Sequence, residues 1–171
     1  GTDLWIEKKV AGGAADPKEH FTFVLTKTSL AGTSYSVSYE GIAENDGAGH
    51  QETLTFDGNG VARLSLKNGE KARILQMPSG DVQIKEENGD YVTKVTVNGI
   101  SEKYSDASGI KIQLSSEKTE LVFTNQLDAQ PPTGAELLSV PYWLMGGTAL
   151  AGLLGSRITG KRRKDRKKKF F

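Results

Sequence analysis

Residues 82–90, with the sequence VQIKEENGD, alternate apolar and polar side chains and then end in an Asn-Gly-Asp turn signal. Alternation with a period of two places successive side chains on opposite faces of a β-strand. The pair Asn88-Gly89 tolerates the positive φ angles that a tight hairpin turn requires. The stretch therefore predicts a half-buried strand that ends in a hairpin turn.

The same pattern recurs along most of the chain. Short runs rich in Val, Ile, Thr, Phe and Tyr favour strands, and Gly, Asn and Pro signals separate them. The candidate strands are residues 4–10, 21–27, 35–40, 51–56, 61–66, 72–77, 82–87, 91–97, 110–114 and 120–125. Short strands at this spacing predict an all-β fold, an immunoglobulin-like antiparallel β-sandwich over residues 1–127.

Two polar segments between the strands are predicted to be loops. Residues 43–50 are expected to be mobile, and residues 101–108 form the second loop. Neither segment has the periodic acidic ligands of a calcium-binding loop, so no metal site is predicted.

Residues 137–156 contain no charged side chain. Twenty residues in a helix span about 30 Å, the thickness of the hydrocarbon core of a bilayer. We therefore predict a single transmembrane helix over residues 137–158, with Tyr142 and Trp143 near one interface. The basic residues 159–171 predict a cytoplasmic tail, which places the preceding chain outside the membrane.

The linker at residues 128–136 contains the pentapeptide Gln130-Pro131-Pro132-Thr133-Gly134. A pentapeptide, an apolar span and a basic stop in this order resemble the LPXTG-like sorting signal of Gram-positive surface proteins, with Gln130 where that family usually has Leu. The resemblance implies that a sortase cleaves between Thr133 and Gly134 and transfers the Thr133 acyl group to an amine on another protein or on peptidoglycan. The alternative is a permanent single-pass anchor with a stiff Pro-rich linker.

Charge is segregated along the chain. The segment 157–171 holds 9 of the 22 basic and 1 of the 21 acidic residues. Residues 1–156 therefore hold 13 basic and 20 acidic residues (22 minus 9, and 21 minus 1), a net charge of −7. No basic surface for nucleic acid is expected in this part. The chain has no Cys, which excludes disulfides and thiolate metal sites.

Three polar side chains share the apolar face of their predicted strands. Lys8, Glu86 and Asn125 have the parity of apolar neighbours within the same strand, namely Leu4 and Ile6, Val82 and Ile84, and Leu121 and Phe123. Singly, Lys8 could extend past an edge, Glu86 could end a strand and Asn125 could cap the exit. Together they place an amine, a carboxyl and an amide in one apolar interior.

Burial favours the neutral forms of Lys and Glu. A neutral Lys8 amine is a nucleophile, and a protonated Glu86 carboxyl can hydrogen-bond the Asn125 amide oxygen, polarise the carbonyl and carry protons. Attack of Lys8 on the Asn125 side-chain carbonyl, with loss of ammonia, would form an intramolecular isopeptide bond. Proximity in a dry core makes this exchange feasible without a cofactor.

A resemblance to the pilin isopeptide-linkage domain of streptococcal backbone pilins, related to the Cna B-type repeats, is carried by residues 4–12, 21–23, 82–86 and 123–125. In that family a Lys of the first strand bonds to an Asn of the last strand, and a Glu on an intervening strand assists. The resemblance implies a Lys8–Asn125 cross-link with Glu86 as the catalytic residue. Val82 stands where the family usually has an aromatic residue.

These features predict a structural protein of the cell surface, anchored to the cell wall. It would be a pilus subunit or a wall-proximal stalk, with sortase and other pilin subunits or peptidoglycan as partners and the membrane as an anchor before cleavage. The alternative is a host-binding adhesin module on the same anchor. Because the chain begins at Gly1 without an export signal, we expect it to be the C-terminal part of a longer precursor.

An enzyme that acts on external substrates is not favoured. His20 and His50 are the only histidines, and both are predicted to lie at the surface without an acid and nucleophile pattern nearby. The Gly residues occur in hairpin turns and not in a phosphate-binding loop before a helix.

Overall fold

Eleven β-strands and one short 3-10 helix, Thr28–Leu30, form residues 1–43 and 50–129, the part of the chain that the computed structural model describes. The strands are β1 Thr2–Ala11, β2 Phe21–Thr26, β3 Ser34–Glu40, β4 Thr53–Thr55, β5 Val61–Leu66, β6 Lys71–Met77, β7 Gly80–Glu87, β8 Val92–Val97, β9 Ile100–Glu102, β10 Ile110–Leu114 and β11 Lys118–Gln126. All ten predicted strands are present, with ends that differ by no more than two residues. The all-β prediction is confirmed.

The strands form two sheets. The larger sheet has the order β4-β3-β6-β1-β11-β8-β9, and the smaller has the order β10-β7-β2-β5. The first and last strands, β1 and β11, are neighbours inside the larger sheet. In the smaller sheet, β7 and β2 occupy the central positions.

The core lies between the two sheets. Ile6 and Phe123 from the larger sheet and Phe23 and Ile84 from the smaller sheet are fully buried. The rings of Phe23 and Phe123 meet edge to face with their centroids 4.9 Å apart, which joins the sheets at the centre. Burial alternates along β7 and β11 with the period that the sequence predicted.

The pairing of β1 with β11 is parallel, which corrects the prediction of a purely antiparallel sandwich. Lys8 is opposite Phe123 and Val10 is opposite Asn125. The other strand pairs of the two sheets are antiparallel in the described chain. A parallel pair needs a long connection, and here nearly the whole domain connects the two strands.

The predicted loop at residues 101–108 is partly wrong. Ile100–Glu102 forms the edge strand β9, joined to β8 by a turn at Asn98 and Gly99 with φ angles of 50° and 84°. All three residues of β9 are exposed. A strand without a buried side chain has no alternating pattern, so hydrophobic periodicity could not detect it.

Several predictions concern residues outside the described part of the chain. These are most of the loop at 43–50, the pentapeptide at 130–134, the transmembrane helix at 137–158 and the basic tail at 159–171. Within residues 1–43 and 50–129, no helix is long and apolar enough to cross a membrane.

Candidate functional site

Lys8, Glu86 and Asn125 meet in the core between the two sheets. Lys8 and Asn125 come from the adjacent parallel strands β1 and β11, and Glu86 faces them from β7 in the opposite sheet. Lys8 and Asn125 have no exposed surface, and Glu86 is 1% exposed. The predicted burial of these three polar residues is therefore observed.

One carboxylate oxygen contacts both partners. Lys8 Nζ lies 2.7 Å from Glu86 Oε2, and Asn125 Nδ2 donates a hydrogen bond of 3.1 Å to the same oxygen. Apart from this contact, Lys8 Nζ has no hydrogen-bond partner among the described residues. It lies 4.4 Å from the centroid of the Phe21 ring. The amine and the amide are thus held side by side in an apolar setting.

Burial shifts both titratable groups toward their neutral forms. Desolvation lowers the pKa of Lys8 from 10.5 to about 8, against the opposing effect of the Glu86 carboxylate. Desolvation also raises the pKa of Glu86 above 4.5, and its contacts with Lys8, Asn125 and Thr93 oppose the rise. The energy needed to move a proton from the ammonium to the carboxylate is therefore smaller than in water.

The amide of Asn125 is oriented by two different groups. Its nitrogen faces Glu86, and its oxygen accepts a 2.8 Å hydrogen bond from the Thr93 hydroxyl. The sequence predicted that Glu86 would bond the amide oxygen, and this detail is wrong. An ionised carboxylate repels a carbonyl oxygen and attracts an N–H, so the observed orientation suits an ionised Glu86.

Further polar groups hold this arrangement. Asn88 Nδ2 donates to Thr93 Oγ1 at 2.5 Å and to Asp106 Oδ1 at 3.0 Å. The Tyr104 hydroxyl accepts from the backbone N–H of Glu86 at 2.9 Å and lies 3.2 Å from its carbonyl oxygen. These contacts tie the end of β7 to the neighbouring segments.

Sequence analysis missed Thr93, Asn88 and Tyr104. Thr93 shares the parity of Tyr91 and Val95, which are both buried, so the rule that found Lys8 could also have found it. Asn88 was assigned only to a hairpin turn, which is wrong because β7 and β8 lie in different sheets, and its side chain in fact bonds Thr93. Tyr104 lay in a segment predicted to be a loop, where no pattern assigned a role.

A second buried polar cluster corrects the prediction that both histidines lie at the surface. His20 is exposed, but the His50 side chain is 6% exposed and its Nε2 lies 2.9 Å from Oε1 of the fully buried Glu70. The Tyr39 ring packs edge-on against the His50 ring at 4.9 Å. No group of three or more His, Asp or Glu side chains in residues 1–43 and 50–129 is arranged to hold a metal ion.

Comparison with known proteins places this sandwich in a family. The family described as Domain of unknown function (DUF7601) matches residues 2–127, which include all of Lys8, Glu86, Thr93 and Asn125. The chain belongs to this family. The match ends just after β11, at the same place as the described β-sandwich.

Relatives of this DUF7601 chain include streptococcal pilus proteins. It is 28% identical to a pilin of Streptococcus pyogenes serotype M1 over 90% of the chain and 47% of that pilin. It is 33% identical to the pilus tip adhesin Cpa of Streptococcus pyogenes over 77% of the chain and 18% of that adhesin. The chain therefore spans about half of the first relative and under a fifth of the second.

A solved structure shares the fold. The major pilin of Streptococcus pyogenes superposes with a TM-score of 0.55 at 22% sequence identity, over 75% of this chain and 48% of that chain. The DUF7601 domain thus has the fold of a pilin-type β-sandwich.

Proposed function

We propose that the protein is a structural subunit of a surface pilus or stalk, whose β-sandwich closes an isopeptide bond between Lys8 and Asn125. The observation that carries the proposal is the contact of Lys8 Nζ and Asn125 Nδ2 with the same buried Glu86 oxygen. The similarity to a pilin of Streptococcus pyogenes supports the assignment to a pilus.

The three residues suffice for a balanced reaction. Glu86 takes one proton from the Lys8 ammonium, and the free amine attacks Cγ of Asn125. Glu86 delivers this proton to Nδ2 and takes a second proton from Nζ, so the Cγ–Nδ2 bond breaks and ammonia departs. The products are one amide bond, one ammonia and a protonated Glu86. No external reactant is required.

The position of the bond suits a protein under tension. Because β1 and β11 are parallel neighbours, the chain enters at one end of the pair and leaves at the other. Asn125 lies 117 residues beyond Lys8 (125 minus 8). A bond between the two side chains would carry force directly from one strand to the other and leave the intervening chain unloaded.

The proposed attachment uses the sorting signal. Sortase would cleave after Thr133 and join its acyl group to another pilin subunit or to peptidoglycan. The sandwich ends in β11, only a few residues before this pentapeptide. Force from the wall would therefore reach Asn125 through a short connection.

A host-binding adhesin module is the second candidate, and the similarity to the pilus tip adhesin Cpa favours it. Similarity to both a pilin and a tip adhesin supports a scaffold role for the shared part. Additional β-domains upstream with a polymerising Lys would favour the pilus subunit, and a dissimilar N-terminal domain would favour the adhesin.

Intact mass measurement of the chain tests the cross-link. We expect the parent to be lighter than its calculated mass by one ammonia, and Lys8→Ala and Asn125→Ala to have their full masses. The exposed neighbour Lys9 provides a matched control, because Lys9→Ala should still lose ammonia. A parent chain at its full calculated mass would exclude the proposed bond.

A further inference from the structure

We infer that the Thr93 hydroxyl is a catalytic group that stabilises the negative charge on Asn125 Oδ1 during isopeptide formation. The inference rests on the proposed cross-link and adds a fourth residue to it. In the reaction above, attack on Cγ converts the carbonyl oxygen into an oxyanion. A donor that already points at this oxygen lowers the barrier without reorganisation.

The hydrogen-bond inventory of Thr93 assigns its proton. A Thr hydroxyl has one proton to donate and accepts through its lone pairs. Asn88 Nδ2 donates to Thr93 Oγ1 at 2.5 Å, which uses the hydroxyl as an acceptor. The two acceptors near its proton are Asn125 Oδ1 at 2.8 Å and Glu86 Oε1 at 3.5 Å. The shorter contact directs the proton to Asn125.

Glu86 cannot stabilise the negative charge on Asn125 Oδ1 in the same arrangement. Its Oε2 is engaged by Lys8 Nζ and by Asn125 Nδ2, which are the two atoms that exchange protons. Thr93 Oγ1 is the one donor to Asn125 Oδ1 among the hydrogen bonds of residues 1–43 and 50–129. Proton transfer and oxyanion stabilisation are thus divided between Glu86 and Thr93.

A short chain of groups supports the hydroxyl. Asp106 accepts from Asn88 Nδ2, and Asn88 in turn donates to Thr93. Asn88 is 8% exposed and lies in the turn that connects β7 of the smaller sheet to β8 of the larger sheet, so this connection sets its position. A hydroxyl that accepts a hydrogen bond donates more strongly, because hydrogen bonds in a chain polarise one another. Asn88 is therefore a positioning residue that acts through Thr93.

The test compares Thr93→Val, which removes the hydroxyl at nearly constant shape, with Thr93→Ser, which keeps it. Each chain is synthesised in a cell-free system, quenched in denaturant at intervals, and weighed intact to follow the loss of ammonia. Thr96→Val on the same strand is the matched control, because Thr96 has the opposite parity to Thr93. We expect cross-linking to be about 100-fold slower in Thr93→Val. Thr93→Ser and Thr96→Val should react at close to the parent rate.

Folding and catalysis are separated by melting the same Thr93 variants in a Lys8→Ala background, where no bond can form. Thr93→Val should remain folded there at the temperature of the rate measurement. If it does not, Thr93→Ala is used in its place. Equal rates for the parent and the hydroxyl-free variant would overturn the inference, and so would a Thr93→Ser variant as slow as Thr93→Val. A parent that loses no ammonia would instead overturn the proposed function.

Discussion

At the residue scale, the reactivity of Lys8 depends on its surroundings. In water its amine would be protonated at neutral pH and unable to attack an amide. Burial lowers its pKa to about 8 and raises that of Glu86, so the two pKa values approach each other. The same burial keeps the amine beside Asn125. Desolvation and proximity therefore arise from one feature of the fold.

These pKa shifts predict a bell-shaped pH dependence for the rate of cross-link formation. At low pH both Lys8 and Glu86 are protonated, so no neutral amine is present. Well above pH 8 the amine is neutral, but the carboxylate has no proton to deliver to the leaving nitrogen. We expect the rate to rise through the raised pKa of Glu86 and to fall above about pH 8, as a property of the coupled pair.

The quenched mass assay, repeated across pH, measures this profile. A rate that keeps rising to pH 10 would show that the leaving group does not need a proton from Glu86. Thr93→Val should lower the whole curve and leave the limb above about pH 8 in place. Its acidic limb should move to higher pH, because the Thr93 contact opposes the rise in the pKa of Glu86.

At the element scale, the residues of β1 that precede Lys8 lie outside the proposed covalent loop. Only non-covalent contacts hold them in the sheet. Asp3 accepts two hydrogen bonds from the Arg73 guanidinium, at 2.9 and 2.6 Å, and one from the backbone N–H of Gln76 at 3.0 Å. Gln76 has a φ of 56°, and the register of β1 with β6 shifts at this point. Asp3 thus supplies a hydrogen-bond acceptor where the regular pairing of β1 with β6 is interrupted.

We predict that Asp3→Ala lowers the free energy of unfolding by about 1–3 kcal/mol, because it leaves a backbone N–H and a guanidinium without their acceptor. Asp81→Ala is the matched control. Its carboxylate pairs with Lys111 at 3.3 Å, both side chains are more than half exposed, and the expected loss is below about 1 kcal/mol. Denaturant titration of both variants and the parent measures the difference.

The effect of Asp3 should also depend on pH. The Gln76 N–H and the Arg73 guanidinium lower the pKa of Asp3 below 3.8. A carboxyl with a lowered folded-state pKa adds stability above its unfolded pKa and loses it as the pH falls through the folded value. The parent and Asp3→Ala should therefore converge in stability as the pH falls below 3.8 and through the lowered folded-state value. A constant difference down to pH 2 would contradict the role of the carboxylate charge.

At the scale of the whole molecule, the cross-link would join the first and last strands of the sandwich. The closed loop covers 117 residues (125 minus 8). On chain-entropy grounds a link across a loop of this length stabilises the fold by about 5 kcal/mol. Only the ends outside Lys8 and Asn125 would remain free to extend.

Single-molecule pulling on the two ends of the chain tests this prediction. The unlinked Glu86→Gln variant should lengthen by about 400 Å when its sandwich unfolds, since each extended residue spans roughly 3.4 Å. The parent should show no such step at any force below rupture of a covalent bond. A full-length step in a parent preparation that has lost ammonia would contradict the load path through Lys8 and Asn125.

The sequence by itself determined the strands, the turns and the inward parity of Lys8, Glu86 and Asn125. These follow from a local rule, because successive side chains of a strand alternate between two faces. The same rule could have identified Thr93, but it could not detect β9, whose residues are all exposed. Local patterns also gave no indication that His50 pairs with the buried Glu70.

Only the tertiary structure decided which strands are neighbours and which atoms meet. The parallel pairing of β1 with β11 joins residues more than one hundred positions apart, and no local pattern encodes it. The Asn125 amide contacts Glu86 through its nitrogen and Thr93 through its oxygen. This arrangement likewise depends on two sheets packing face to face. Side-chain parity is a property of each strand alone, whereas contact distances depend on how the strands are assembled.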